Sequence, residues 1–90
     1  MIIVSYDISD NKLRTRFSKM LEKNGAVRLQ LSVYEINHTA RHLTNIRLLI
    51  DNEYSKKFAP TDSVIIINVD NEKVTKYGYA IHWDKDISFY

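Results

Sequence analysis

The residues best equipped for chemistry fall in the first third of the chain. Asp7 closes the apolar run Ile2-Ile3-Val4-Ser5-Tyr6, a place where a carboxylate is depleted and costly to bury alone. It is either a turn residue that hydrogen-bonds the chain reversal or a side chain kept for its charge. Asp10, three residues on, would either join Asp7 or cap the helix whose start it marks. Residues 11–28 hold Lys12, Arg14, Arg16, Lys19, Lys23 and Arg28 against Glu22 alone. Such a concentrated basic stretch suits a polyanion, with a solvated helix face as the plain alternative. Guanidinium forks grip phosphate oxygens and read no bases, which makes Arg14, Arg16 and Arg28, supported by Lys12 and Lys19, the nucleic-acid candidates. Arg14 and Arg16 stand about 200° apart on a helix. They cannot share a phosphate, so at least one is expected to pair within the protein or at an interface.

Other chemistries find no support. The chain has no cysteine, which removes disulfides, thiolate metal sites and cysteine nucleophiles. His38 and His42 are four residues apart, a spacing seen in metal pairs, but His38 is expected before the helix and no third ligand is evident. No Ser-His-Asp arrangement, phosphate-cradling Gly loop or dinucleotide fingerprint is present. Tyr6 and Tyr34 sit at core-phase strand positions and read as packing rather than base-stacking residues. "SVIIINVD" has no aromatic or basic residue, unlike the RNA-reading strand of an RRM. His82 and Trp83 are expected to pack against a partner subunit.

The elements that must position these residues follow from periodicity. "MIIVSYDI" is a strand with Ile2, Val4, Tyr6 and Ile8 on one face and Ile3 on the other, the pattern of a central strand. Ser9 or Asp10 caps a helix with the stripe Leu13, Phe17, Met20, Leu21, and Gly25 stops it. In "AVRLQLSVYEINH" the alternation changes phase, which one regular strand cannot do. A bulge or tight reversal near Leu31–Val33 therefore divides it into two strands. Thr39 caps a second helix carrying Leu43, Ile46, Leu49 and Ile50, ending near Tyr54. "SVIIINVD" is a strand with neither face polar, and "VTKYGYAIHW" is expected to be a further strand interrupted by Gly78.

The 90 residues form one small domain, 1–90, burying about 60–65% of the unfolded chain's surface. An apolar fraction of 44% and a charged fraction of 27% are ordinary for a soluble protein. No apolar run approaches the roughly 18 residues of a membrane span, and "MIIVSYD" has no basic region typical of a secretory signal. A cytoplasmic location is the expectation. The predicted class is α+β, a ferredoxin-like βαββαβ order with an extra C-terminal strand. Both helices then cover one sheet face. Strands apolar on both sides need a second cover, and another copy of the sheet supplies it, so a homodimer packed through the sheet faces is expected, with residues 71–90 contacting the partner.

At "YDISDNKLRTRF" and "GAVRLQLSVYE" the sequence resembles the CRISPR-associated protein 2 family. The shared features are Tyr6-Asp7-Ile8, the Asp10 helix start, Arg14 and Arg16, then Gly25, Arg28, Gln30, Ser32, Val33, Tyr34 and Glu35, in order from Met1 to Ile36. From Thr39 to Asp70 only the helix and strand pattern matches, and from Asn71 onward the match is weak. The chain is also short for the family, with a brief tail. The resemblance implies a ferredoxin-like homodimer that binds DNA and bridges the CRISPR-associated integrase during spacer acquisition. Some members are reported as metal-dependent ribonucleases or deoxyribonucleases. By resemblance Asp7 is the metal and catalytic position, with one Mg²⁺ shared by the two Asp7 carboxylates of a dimer. Ser32 stands at the family's hydroxyl position and reads here as a turn or bulge hydrogen-bonder near Asp7.

Overall fold

The first strand runs with its apolar face on two helices, and everything else is arranged around it. The computed structural model describes residues 1–36 and 40–78. β1 (Ile2–Asp7), β2 (Val27–Gln30), β3 (Val33–Ile36) and β4 (Ser63–Asn68) form one sheet in the order β2-β3-β1-β4. All three neighbouring pairs are antiparallel. With α1 (Asn11–Lys23) between β1 and β2 and α2 (Ala40–Leu49) between β3 and β4, the arrangement is α+β and compatible with a ferredoxin-like fold.

Register decides what each face carries. Val4 lies beside Tyr34 on one side and Ile66 on the other. These join Tyr6, Ile8, Leu13, Phe17, Met20, Leu21, Ile36, Ile46 and Tyr54 in the core beneath the helices. Phe17 and Leu21 are wholly buried, each contributing on the order of 1.5–3 kcal/mol by leaving water. The opposite face brings Ile3 beside Glu35 and Ile67, and Ser5 beside Val33 and Ile65. β1 is central, as its two-sided apolar pattern predicts. β4 is instead at the sheet edge among the described residues, and Ile65 and Ile67 are 56% and 46% exposed.

α1 begins where the Asp10 carboxylate accepts the Leu13 N–H at 2.8 Å. It ends before Gly25, whose φ of 88° favours a residue without Cβ. The expected break between β2 and β3 occurs as a two-residue turn at Leu31–Ser32. A register shift between Arg28 and Gln30 places a bulge earlier as well. α2 runs directly into a π-helical turn, Ile50–Tyr54, and then a 3₁₀ turn, Ser55–Lys57. The expected Thr39 cap, together with His38, lies outside the described residues.

The expected C-terminal strand is corrected in its first part. A 3₁₀ turn occupies Asn71–Lys73, and residues 74–77 carry no strand. Instead Lys76 Nζ reaches the Glu35 carboxylate at 2.6 Å, so the chain returns across the open sheet face at the level of Ile3 and Ile67. Residues 79–90, with His82 and Trp83, lie outside the described residues.

Replacing Asp10 by alanine is expected to cost about 1 kcal/mol through the lost cap, and by asparagine clearly less. Urea unfolding checks this: the midpoint should fall with the slope unchanged.

Candidate functional site

The C-terminal end of β1 opens into a pocket of about 470 Å³ lined by Tyr6, Asp7, Ile8, Arg14, Thr15, Ser18, Arg28, Leu31 and Ser32. Three segments form it, and specific hydrogen bonds fix each of them. The Tyr6 N–H donates to the Ser32 carbonyl at 3.1 Å, and the Tyr6 hydroxyl donates to the Leu31 carbonyl at 3.3 Å. The β2–β3 turn is thereby held against β1, with the Leu31 side chain 84% exposed at its tip. Ser32 acts in this hold through its main-chain carbonyl.

Asp7 pairs with Ser63 in the sheet register, and its carboxylate is exposed. It makes no hydrogen bond or ion pair among the described residues, unlike a turn-capping aspartate. That turn role falls instead to Asp62, which sequence reasoning missed. The Asp62 carboxylate accepts the Ser9 N–H and hydroxyl, both at 3.0 Å, and the Ala59 N–H at 2.8 Å. The Ser9 and then the Ala59 N–H hold its pKa below the ordinary carboxylate value. Its sequence signal was a lone acid after Pro60-Thr61, just before the strand. Asp10 is occupied as the α1 cap.

The basic residues expected to act together are divided. Arg14 turns back on its own chain: Nη1 donates to the Ile8 carbonyl at 3.0 Å and Nη2 to the Asn11 side chain. Arg28 approaches the pocket from β2. Its Nε donates to the Tyr34 hydroxyl at 3.1 Å, with the guanidinium 5.6 Å from the Tyr34 ring centre. The Tyr34 hydroxyl in turn donates to Glu22 at 3.0 Å, so the α1 carboxylate steadies a β2 cation through a buried phenol. Lys12 is exposed in the first turn of α1. Arg16 and Lys19 line a different groove, shared with Lys23 and Tyr54.

The pocket is therefore an anion-attracting concavity with one exposed carboxylate at its edge. Among the described residues no three His, Asp or Glu gather to hold a metal ion. A site at Asp7 within one chain offers a single carboxylate, and a hard-oxygen cation such as Mg²⁺ would need waters and a second acidic group.

The sheet order and the two helices place the chain among small α+β proteins compatible with a ferredoxin-like fold. The family model for CRISPR associated protein Cas2 matches residues 1–77. A CRISPR-associated endoribonuclease Cas2 1 from Methanospirillum hungatei JF-1 is 33% identical over 70 residues, covering 78% of this chain and 70% of the relative. The chain belongs to the Cas2 family.

Two predictions follow the pocket geometry. Tyr34→Phe removes the link between Arg28 and Glu22 at about 1 kcal/mol, and the Arg28 Nε–H resonance should broaden or exchange faster. A sharp, unshifted resonance would show that the phenol does not hold Arg28. Burial, aided by Tyr34 and opposed by Arg28, pushes the Tyr6 phenol up to about 12 from 10.0. Between those values the folded chain keeps a proton that the unfolded chain releases, so stability falls as pH rises through that window. Tyr6→Phe should flatten this alkaline slope in chemical unfolding followed against pH.

Proposed function

We propose that the chain is a CRISPR adaptation subunit that dimerises through its open sheet face, binds duplex DNA through its phosphates and bridges the CRISPR-associated integrase. The observation carrying this reading is the placement of Arg28 and Arg14 together in the pocket at the end of β1, with Lys12 exposed nearby in the first turn of α1. Guanidinium and ammonium groups there would meet phosphate oxygens of any sequence. That suits a protein handling captured fragments of arbitrary sequence. Exposed Ile65 and Ile67 supply an apolar surface for the second copy, and the family membership supports the CRISPR role.

A second reading is a Mg²⁺-dependent endonuclease on single-stranded RNA or duplex DNA. It is favoured by the unengaged Asp7 carboxylate at the pocket edge and by the relative's description as an endoribonuclease. In a dimer, Asp7 from each copy would hold the ion through carboxylate oxygens. A bound Mg²⁺ would activate water and screen phosphate charge. The chain's own contribution is to place Arg28 and Arg14 where a phosphodiester's negative charge would lie, and to hold the Leu31–Ser32 turn at the pocket wall.

One experiment addresses both readings: labelled single-stranded RNA and duplex DNA, each with Mg²⁺ or EDTA, offered to wild type and Asp7→Ala. The bridging reading expects duplex binding by both proteins. With about six phosphate contacts per dimer, affinity should drop about 10³-fold between about 50 and 200 mM salt. Binding indifferent to salt would overturn it. Mg²⁺-dependent cleavage lost in Asp7→Ala would establish the enzyme reading; no cleavage by either protein would leave the bridge alone. Sedimentation at micromolar concentration should show a dimer.

A further inference from the structure

Glu22 is the only acid in the basic stretch 11–28, and by charge alone it opposes the binding of any polyanion. Its carboxylate nevertheless has a specific engagement. It accepts the Tyr34 hydroxyl at 3.0 Å, and the oxygen of that hydroxyl accepts the Arg28 Nε–H at 3.1 Å. The three residues come from three elements and face different surroundings. Glu22 is exposed on α1 and lines the groove between that helix and the end of α2. Tyr34, on β3, is wholly buried and lines neither concavity. Arg28, on β2, lines the Asp7 pocket. A hydrogen-bonded chain thus runs from one surface to the other through a buried phenol.

That chain decides which part of the guanidinium is left for a ligand. An arginine presents two bidentate edges, Nε with one Nη, and the two Nη together. Tyr34 takes Nε and so closes the first edge, with its ring 5.6 Å from the guanidinium carbon. Arg28 makes no other hydrogen bond or ion pair among the described residues. The Nη1/Nη2 edge remains, and a pair of phosphate oxygens matches it. Glu22 matters because a hydroxyl proton rotates to suit its neighbours. While that proton is given to Glu22, a lone pair of the Tyr34 oxygen faces Arg28. Without an acceptor on α1, the proton is free to swing toward the guanidinium and break the bond.

We propose that Glu22 and Tyr34 are positioning residues that hold the Nη1/Nη2 edge of Arg28 ready for a phosphate group in the Asp7 pocket. The proposal rests on the phosphate-binding reading given above. A fork already fixed at Nε loses less side-chain entropy when it meets a phosphate. The acceptor on α1, rather than its charge, is what serves binding, so an acid within a basic stretch works for the cation beside the pocket.

Glu22→Gln and Glu22→Ala separate acceptor from charge. Both have the same net charge, both lie at an exposed helical position, and both residues suit a helix. Only glutamine keeps an oxygen that accepts the Tyr34 hydroxyl. Labelled duplex DNA, read by anisotropy at about 100 mM salt, should bind Glu22→Gln about fivefold more tightly than Glu22→Ala, the worth of one net hydrogen bond. In a Tyr34→Phe background the difference should vanish. Equal affinity of the two variants would overturn the proposal, and so would a difference that survives Tyr34→Phe. If wild type binds no duplex, the bridging reading falls, and pyrophosphate followed at the Arg28 side-chain resonances decides the matter. The same preference for Glu22→Gln over Glu22→Ala would then uphold the positioning role, and equal or absent binding would overturn it.

Discussion

Three tyrosines and Phe17 form one buried aromatic chain, and the functional surfaces are fastened to it. Tyr6 meets Phe17 edge-on at 4.8 Å and stacks on Tyr34 at 6.1 Å, while Phe17 meets Tyr54 at 5.3 Å. Each ring supplies apolar area and offset or edge-to-face contact. Each hydroxyl must then find a partner, because an unmade bond in the interior costs more than a made one gains. The partners lie at the working edges of the molecule: the Leu31 carbonyl beside Asp7, Glu22 with Arg28, and the Arg16 carbonyl beside the helical groove. Core packing and site geometry are thus set by the same side chains.

That dependence explains how the basic charge is distributed. Helical geometry separates Arg14 from Arg16, and the core lies between the surfaces they serve. Arg14 closes on the carbonyls released at the end of β1 and adds its charge to the mouth of the Asp7 pocket. Arg28 would be a mobile cation on a bulged strand without the Tyr34 phenol beneath it. Fixing a guanidinium by one nitrogen and a ring face lowers the entropy lost when its remaining donors meet a phosphate.

Much of this was legible in the sequence, for physical reasons. The 3.6 and 2.0 periods gave both helices and the four strands, because burial on one face is what creates those periods. The phase change between Leu31 and Tyr34 located the β2–β3 reversal, and Asp10 was legible as one of two cap candidates beside Ser9 because its partner is only three residues away. Asp62 carried only a local signal, a lone acid three residues after its partner Ala59, whereas its other partner Ser9 is 53 positions distant and no local pattern marks that bond. The π turn at Ile50–Tyr54 was hidden for a related reason: the contact it accompanies, Tyr54 on Phe17, lies 37 positions away along the chain. The division of Arg14 and Arg28 from Arg16 and Lys19 follows partly from helix angle, but the groove itself requires α2 in place.

The open face shows how a local rule can be right and its consequence incomplete. Strands apolar on both sides do require a second cover, and the chain supplies part of it by returning through Lys76. Glu35 is 3% exposed, and a carboxylate at that depth is tolerable only with a cation against it. Lys76 makes that contact, so the return of the chain is tied to one charged pair rather than to apolar packing alone. The remaining area is concentrated on the edge strand at Ile65 and Ile67, beside Ser5 and Ile3 in the register. Separating the pair would leave a buried charge beside this apolar area. The pair therefore fixes where the returning chain lies on this face, because apolar area accepts many alignments and an ion pair accepts few.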